Sequence, residues 1–519
     1  MNNSSSSSIT LSSATGKWIL VSTILASSMA FIDSTALNVI LPSLQRDLGA
    51  EGTDIFWILN AYLLMLAALI LVGGSLGDKL GRKKVFMVGI AIFIIASIAC
   101  GLSPSVTWLI IARTAQGLGG ALMIPGSLSI ISATFHDKEK GKAIGTWSAA
   151  TTLVTVGGPI LGGALGDAGL WRAIFYINVP IGIGTLWVLT THVPETTDED
   201  VDHRLDYPGA AAVVIALALL TFGFLEIPEV GWTWPVYASL TGGALALGAF
   251  IVIEQRSSHP MVPLRLFRNQ AFSGANILTF FLYAALGATM LFLLLNLVQV
   301  QGYSQLQAGM AMLPFTILMA SLAQWVGGLV DRYGPRWLLI VGPALAGVGF
   351  VLLSTVGLTN GPADFWITYF PGILVFAAGM TLTVVPLTTT VMSAVEDRYS
   401  GTASGVNNAM TRTASVFANA VVGALAIVFF SQALSGQVED IALTTAAREA
   451  VMTQAVDLGN AQVPTTLGEE NRAAVSHAYR LSFVTTFQRI MWISAGLAWL
   501  SAAAAFLLIK NPLKERKVA

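Results

Sequence analysis

Gly74-Ser75-Leu76-Gly77-Asp78-Lys79-Leu80-Gly81-Arg82-Lys83-Lys84 is a charged turn set between two apolar runs. The runs, 55–77 and 85–103, are each long enough to cross a bilayer core of roughly 30 Å as a helix. Gly81 permits a tight or left-handed turn, and Asp78 can cap the next helix or pair with the adjacent Arg and Lys. The pattern returns when Asp78 is laid over Asp331, in Gly327-Gly328-Leu329-Val330-Asp331-Arg332-Tyr333-Gly334-Pro335-Arg336. A second correspondence lays Gly141, Ala143, Gly145 and Gly163 over Gly401, Ala403, Gly405 and Gly423. The chain therefore reads as two repeated helical halves, an arrangement that transporters build around a site near the membrane midplane.

Apolar runs fall near 18–41, 55–77, 85–103, 106–133, 143–166, 173–192, 208–228, 234–254, 271–298, 306–330, 337–358, 366–392, 402–432 and 484–509. Fourteen runs predict an all-α polytopic membrane protein. Residues 1–17 form a polar, Ser-rich tail, 18–192 a six-helix half, and 193–270 a linker carrying two inserted helices. A second six-helix half spans 271–510, with a long loop at about 432–481 and a tail at 511–519. The first apolar run is too long for a signal-peptide core and reads as an uncleaved first helix. Of the 519 residues, 55% are hydrophobic and 11% charged, against roughly a quarter charged in soluble domains.

An even number of spans puts both termini on one side. Nineteen Lys and Arg lie in the loops and tails of that side and five in those of the other, which predicts cytoplasmic termini in a cell inner membrane. A formal charge of −1 gives no surplus for nucleic acid. The single Cys100 excludes an intrachain disulfide and any cysteine metal cluster. No G-x-x-x-x-G-K-[ST] phosphate loop occurs, and the five His lie in loops or at helix ends without an H-E-x-x-H pattern. Neither ATP drive, a metal nor a cofactor is expected.

Asp33 lies about eight residues inside the far end of the first run, so roughly 12 Å deep at 1.5 Å per residue. Arg113 lies seven residues inside the far end of the fourth, at nearly the same depth. A mid-membrane Asp costs about 2.5–3.5 kcal/mol on insertion scales, which favours a cavity or an ionic partner. Mutual pairing is the cheapest arrangement for two such charges, and a pair whose access and neighbours change between states can load and release a proton. Asn60, Tyr62, Gln116 and Trp147 in the first half are candidates to line the same cavity, with Asn276, Asn296, Asn407 and Arg412 in the second. No Asp or Glu lies deep in the second-half helices, so negative charge for a cationic substrate falls mainly to Asp33. Gly157, Gly158, Gly162 and Gly163 allow close helix approach, and Pro159 removes a helix hydrogen bond.

Taken together the motifs resemble those of the major facilitator superfamily. Gly74-x-Leu76-Gly77-Asp78-x-x-Gly81-Arg82-Lys83-Lys84 looks like its signature loop, which implies a conformational latch involving Gly74, Asp78, Gly81 and Arg82, echoed by Asp331 and Gly334. Leu109-x-x-x-Arg113-x-x-Gln116-Gly117 is similar to the fourth-helix motif of proton-coupled members, and Gly158-Pro159-Ile160-Leu161-Gly162-Gly163 to the fifth-helix motif of antiporters. Asp33-Ser34-Thr35-Ala36-Leu37-Asn38-Val39-Ile40-Leu41-Pro42 and Trp171-Arg172-x-x-Phe175-x-Ile177-Asn178-Val179-Pro180 resemble the fourteen-helix drug:proton antiporter branch, which includes quaternary-ammonium-compound and multidrug efflux pumps. Val154 departs from the usual fifth-helix glycine, and Pro335 stands where Arg82 has its counterpart.

The resemblance implies a proton-coupled exporter of drug-like hydrophobic or cationic molecules working by alternating access. Export of an endogenous metabolite, lipid or siderophore is the alternative, and a membrane sensor or membrane-embedded enzyme a distant one. The expected partners are the small-molecule substrate, protons and the bilayer, with a periplasmic adaptor and outer-membrane channel left open.

Overall fold

The computed structural model describes residues 10–135, 137–195, 206–258, 260–395, 400–465 and 467–509. Among them, thirteen helices are long and apolar enough to cross a membrane, and the apolar stretch Leu153–Asp167 of a further long helix supplies the fourteenth crossing. In chain order the crossings are α1 (Ala14–Leu48), α2 (Gly52–Leu80), α3 (Arg82–Gly101), α4 (Val106–Thr134), α5 (Asp137–Asp167) and α6 (Ala173–His192, broken after Tyr176). An inserted hairpin follows, α7 (Tyr207–Val230) and α8 (Trp234–Arg256). Then come α9 (Gln270–Leu295, continued by Asn296–Val300), α10 (Gln305–Ala311, running on as Leu313–Tyr333) and α11 (Pro335–Ser354). The last three are α12 (Tyr369–Ser393), α13 (Ser400–Glu439) and α14 (Glu469–Leu508).

The helix ends follow local chemistry. Ser13 caps α1 through its hydroxyl, and Gly49 closes it in the left-handed region at φ 64°. The two repeated turns share one backbone device. Gly81 (φ 106°) and Gly334 (φ 78°) each end a helix in a conformation that a side chain would strain, and each returns its N–H to the carbonyl four residues back.

The loop expected at about 432–481 is largely helical: α13 runs on to Glu439, α14 starts at Glu469, and a short helix, Thr445–Thr453, lies between. Hydropathy locates the part of a helix that lipid covers; these helices continue beyond it through polar sequence.

The repeat recurs in the packing. In the first half Gly89 of α3 faces Gly119 of α4 so closely that a methyl on Gly89 would lie 2.9 Å from the Gly119 carbonyl oxygen. In the second half Gly342 of α11 and Gly379 of α12 stand in the same relation, again at 2.9 Å. Small residues let both pairs approach to backbone contact, the usual basis of helix association in lipid. The α7–α8 hairpin packs through α7 against α2 and α13.

The buried core is asymmetric along the bundle axis. Towards the end away from the termini, hereafter the far end, one cluster takes in Ala36 to Leu44 of α1 and Ile55 to Leu59 of α2 together with residues of α9 to α14. Towards the termini, a second cluster is built from first-half residues such as Ile19, Ile70, Phe86 and Ile131, with Ala409 of α13 at its margin. The two sets of helices share a core at the far end and keep a largely separate one at the other. The outer surface carries exposed Ile95, Ile183, Leu245 and Leu507, as lipid-facing helices require.

Candidate functional site

Three helices of the first half converge on Asp33. The side chains of Asp33 and Arg113 are 0% and 1% exposed, and Arg113 Nη1 donates to Asp33 Oδ2 at 2.5 Å. Gln116, one turn along α4, donates from Nε2 to Asp33 Oδ1 at 2.9 Å and accepts from Arg113 Nη1 at 2.7 Å. Arg113 Nε reaches the Ile58 carbonyl at 3.4 Å, and its guanidinium lies 4.4 Å from the centre of the Tyr62 ring. The cluster thus has a cation, an anion, a bridging amide and an aromatic face, all sealed from solvent.

This geometry constrains its chemistry. Both carboxylate oxygens of Asp33 already accept from donors, Arg113 on one side and Gln116 on the other. The carboxylate is the counter-charge of a cation buried to 1% exposure, and the three side chains together hold α1 and α4 to each other.

Other candidates fall in separate places. Arg412 of α13 is near enough to Tyr62 and Tyr283 to bear on both electrostatically, which brings a second-half cation towards the cluster. Asn60 is fully buried and neither side-chain polar atom has a hydrogen-bond partner. Trp147 Nε1 donates to Ser27 Oγ at 3.2 Å, on a different stretch of α1. Asn407 donates to Asn276 at 3.2 Å and to Thr279 at 2.7 Å, forming a polar group of its own between α13 and α9. Asn296 lies near the far end, bonded to the Tyr369 hydroxyl at 2.7 Å.

Sequence reasoning missed the neutral extension of the cluster. Ser97 of α3 accepts from Gln116 at 3.0 Å and from Asn178 of α6 at 3.3 Å, and the Cys100 thiol lies 3.7 Å from Gln116 Oε1. Their only signal is polarity inside an apolar run.

The glycines of α5 have distinct tasks. A methyl on Gly158 would lie 2.0 Å from Thr35 Oγ1, and one on Gly162 2.6 Å from the Ala36 carbonyl, so both seat α5 on α1. A methyl on Gly163 would lie 2.5 Å from the Gln305 carbonyl oxygen, so this glycine seats α5 on α10 in the second half. Pro159 belongs to the same contact, because its carbonyl lies 2.3 Å from the place a methyl on Gly309 would take.

Polar bonds cross between the halves at the same end. Gln305 Nε2 donates to Ser43 Oγ at 2.5 Å and Gln299 to Gln45 at 3.0 Å. Asp167, at the end of α5, accepts the backbone N–H of Gln305 at 2.8 Å and of Leu306 at 3.0 Å. Val456, between α13 and α14, covers the start of α2, where a methyl on Gly52 would lie 2.0 Å from its carbonyl oxygen.

At the terminus end the signature turn is fastened to the connector after α6. Lys83 N–H donates to Glu195 at 2.9 Å and Lys83 Nζ to the Val193 carbonyl at 2.6 Å, while Glu195 lies against Gly81. Gly74 approaches Pro125 of α4, and Arg82 also has a bonded partner. The side chains of Asp78 and Asp331 lie outside the described atoms.

A repeated helical bundle with a buried acid–base cluster in mid-span, close-packed glycine crossings and a polar seam at one end defines a membrane transporter. The chain belongs to the Major Facilitator Superfamily, whose family model matches residues 23–419. It is 34% identical over 422 residues to the multidrug resistance protein Stp of Mycobacterium tuberculosis (strain CDC 1551 / Oshkosh), covering 81% of this chain and 78% of that one. It is 29% identical over 493 residues to the tetracenomycin C resistance and export protein of Streptomyces glaucescens, covering 94% and 90%. Among solved structures, a bacterial homologue of the human lysosomal transporter Spinster, in an inward-facing and unoccupied conformation, matches 96% of this chain and 100% of its own with a TM-score of 0.65 at 18% identity. The family is one of transporters, and the enzyme alternative falls away with it.

Proposed function

We propose that this protein exports drug-like hydrophobic or cationic molecules in exchange for protons, with residues 18–192 and 271–510 acting as two halves that rock about a central site. The observation that carries the reading is the buried Asp33–Arg113–Gln116 cluster, in which the Asp33 carboxylate is the counter-charge of a buried Arg113, so that a proton on Asp33 would leave that cation unpaired and favour its release. A proton gradient then acts on the contacts between helices, and so on the balance between states. The names of the relatives, a multidrug resistance protein and a tetracenomycin C export protein, support drug-like substrates. In this reading the termini are cytoplasmic, the protein lies in the cell inner membrane, and the shared core at the far end marks an arrangement closed to the outside. Asn60, Tyr62, Arg412 and the Asn276–Asn407 group line the substrate path. The turn of Gly74, Asp78, Gly81 and Arg82, with Asp331 and Gly334, controls closure on the inside.

The test is a panel of cationic, neutral and anionic compounds offered to proteoliposomes under an imposed pH difference. Wild type should accumulate hydrophobic or cationic members against their gradients. Asp33→Asn should lose accumulation while still exchanging substrate in the absence of a gradient. Accumulation by Asp33→Asn driven by the pH difference alone would refute the mechanism.

A further inference from the structure

Polar side chains run along one face of α13. Ser404, Asn408, Arg412 and Ser415 follow one another at spacings of four, four and three residues, which sets them in one strip of a helix. Contacts identify the two flanks of that strip. On one flank Asn407 bonds to Asn276 and Thr279 of α9. On the other, a methyl on Gly405 would lie 2.8 Å from the Leu71 side chain of α2, and Val416 shares a core cluster with Leu64, Ala67 and Ala68 of the same helix. Because α2 belongs to the first half and α9 to the second, the strip between these flanks faces the space between the halves. Asn408 is exposed although it lies in an apolar run, and Arg412 is half-buried.

The charge of Arg412 has no counter-ion. It lies ten residues inside the 402–432 run, so about 15 Å from its start at 1.5 Å per residue. Among the described residues no carboxylate pairs with it. The groups on which its charge bears are Tyr62 of α2 and Tyr283 of α9, and Tyr62 is the ring that carries the Arg113 guanidinium. Asp33 is already engaged, one oxygen by Arg113 and the other by Gln116, and the Asp33–Arg113 pair sums to zero. The other charge inside the second-half runs, Arg489, is exposed and bonded to Gln432 at the far end of the 402–432 run. Among the described residues, the space between the halves therefore carries one net positive charge at mid-span, and a proton on Asp33 would make it two. A mid-span charge without a counter-ion is costly. A cationic ligand would add to that cost, whereas an anionic one offsets it, and a guanidinium meets an anionic oxygen group through parallel N–H bonds.

We propose that Arg412 determines specificity at the central site and that the substrates are hydrophobic organic anions, molecules with an apolar ring system and a carboxylate or phenolate that Arg412 binds. This rests on the export reading above and narrows its substrate range. Arg412 supplies the charge that holds the anionic group, with the rings of Tyr62 and Tyr283 beside it.

The experiment is equilibrium binding of three fluorescent probes that share a pyrene and a four-carbon chain, 1-pyrenebutyrate, 1-pyrenebutanol and 1-pyrenebutylamine. They are offered at neutral pH to the full-length protein in nanodiscs of uncharged lipid, with empty nanodiscs subtracted. Wild type should bind the carboxylate roughly tenfold or more tighter than the ammonium, the range of a hydrogen bond to a charged group. Arg412→Gln should lose that preference and keep the wild-type affinity for the alcohol, which also shows that the site is intact. Arg412→Lys should keep part of the preference, because the charge stays and the planar fork goes. A wild type that prefers the ammonium, or that binds all three alike or none of them, would overturn the proposal. So would an Arg412→Gln variant that weakens the carboxylate and the alcohol equally, or neither. A carboxylate preference abolished by Arg412→Gln, in a protein that moves none of the probes across proteoliposomes under a pH difference, would uphold the anion site and refute the export reading instead.

Discussion

Asp167 gives the most direct test of whether the far-end seam is a gate. Its carboxylate accepts two backbone N–H groups at the start of α10, from Gln305 and Leu306, and so joins the end of α5 to the opposite half. Asp167 is exposed, so each bond falls in the ordinary range of about 0.5–1.5 kcal/mol rather than in the range of buried charge. Asp167→Ala removes both bonds and the favourable placement of an anion at a helix start, worth a few tenths of a kcal/mol more. A loss of about 1–3 kcal/mol in the closed arrangement multiplies the open fraction by roughly 5 to 160. The assay uses Cys100→Ser, which removes the single native thiol, together with Ala308→Cys, at a fully buried position of α10. In nanodiscs the labelling rate of that cysteine reports opening. It should rise by the same factor in Asp167→Ala and by less in Asp167→Asn, which keeps an acceptor oxygen. An unchanged rate in Asp167→Ala would show that the seam is static packing and refute the gating argument.

Gly163→Ala should lower the export rate and raise Ala308→Cys labelling, because the new methyl meets backbone atoms of α10 at 2.5 Å and such overpacking costs about 1–3 kcal/mol. Gly157→Ala should leave both near wild type, since a methyl there meets nothing within 4 Å. Arg113→Lys should restore at most part of the gradient-driven export lost in Arg113→Ala, as measured in proteoliposomes, because an ammonium cannot hold Asp33, Gln116 and the Ile58 carbonyl in the fixed plane of a guanidinium. At the far surface, burial and then the charges of Glu51 and Asp54 push the Asp457 carboxyl up to about 6. The folded protein therefore holds a proton that the unfolded chain has released. The stability this contributes is present at low pH and lost as pH rises through about 6. Melting curves of wild type should fall over that window relative to Asp457→Asn.

Depth was legible in the sequence and rotation was not. A helix is a ruler of 1.5 Å per residue, so counting residues from the ends of the first and fourth runs was enough to set Asp33 and Arg113 level. The fourteen crossings and the paired glycine turns were legible for similar reasons, resting on run length and on a backbone conformation that favours one residue type. Ser97 and Asn178 were not, because a neutral polar residue in an apolar run gives no sign of which neighbour its face meets. Glu254 gave no sign either, since it ends the 234–254 run and nothing in its local sequence says that folding buries it to 3% exposure.

The far-end bonds escaped for a different reason. Ser43, Gln45, Asp167, Gln299 and Gln305 meet across the two halves, and a seam that parts, as the proposed cycle requires, cannot be written as a continuous apolar pattern. Its side chains must be tolerable both when joined and when solvated, which selects short polar groups. The bonding is also left incomplete: Gln45 Nε2, Gln299 Oε1 and Gln305 Oε1 are buried without partners. Each orphan group costs about 1–3 kcal/mol while the seam is shut and recovers it on meeting water. Filling those positions with well-matched apolar residues would make the closed arrangement more stable and the opening slower. In the alternating-access cycle proposed above, the under-satisfied glutamines would keep the closed arrangement close in free energy to an open one.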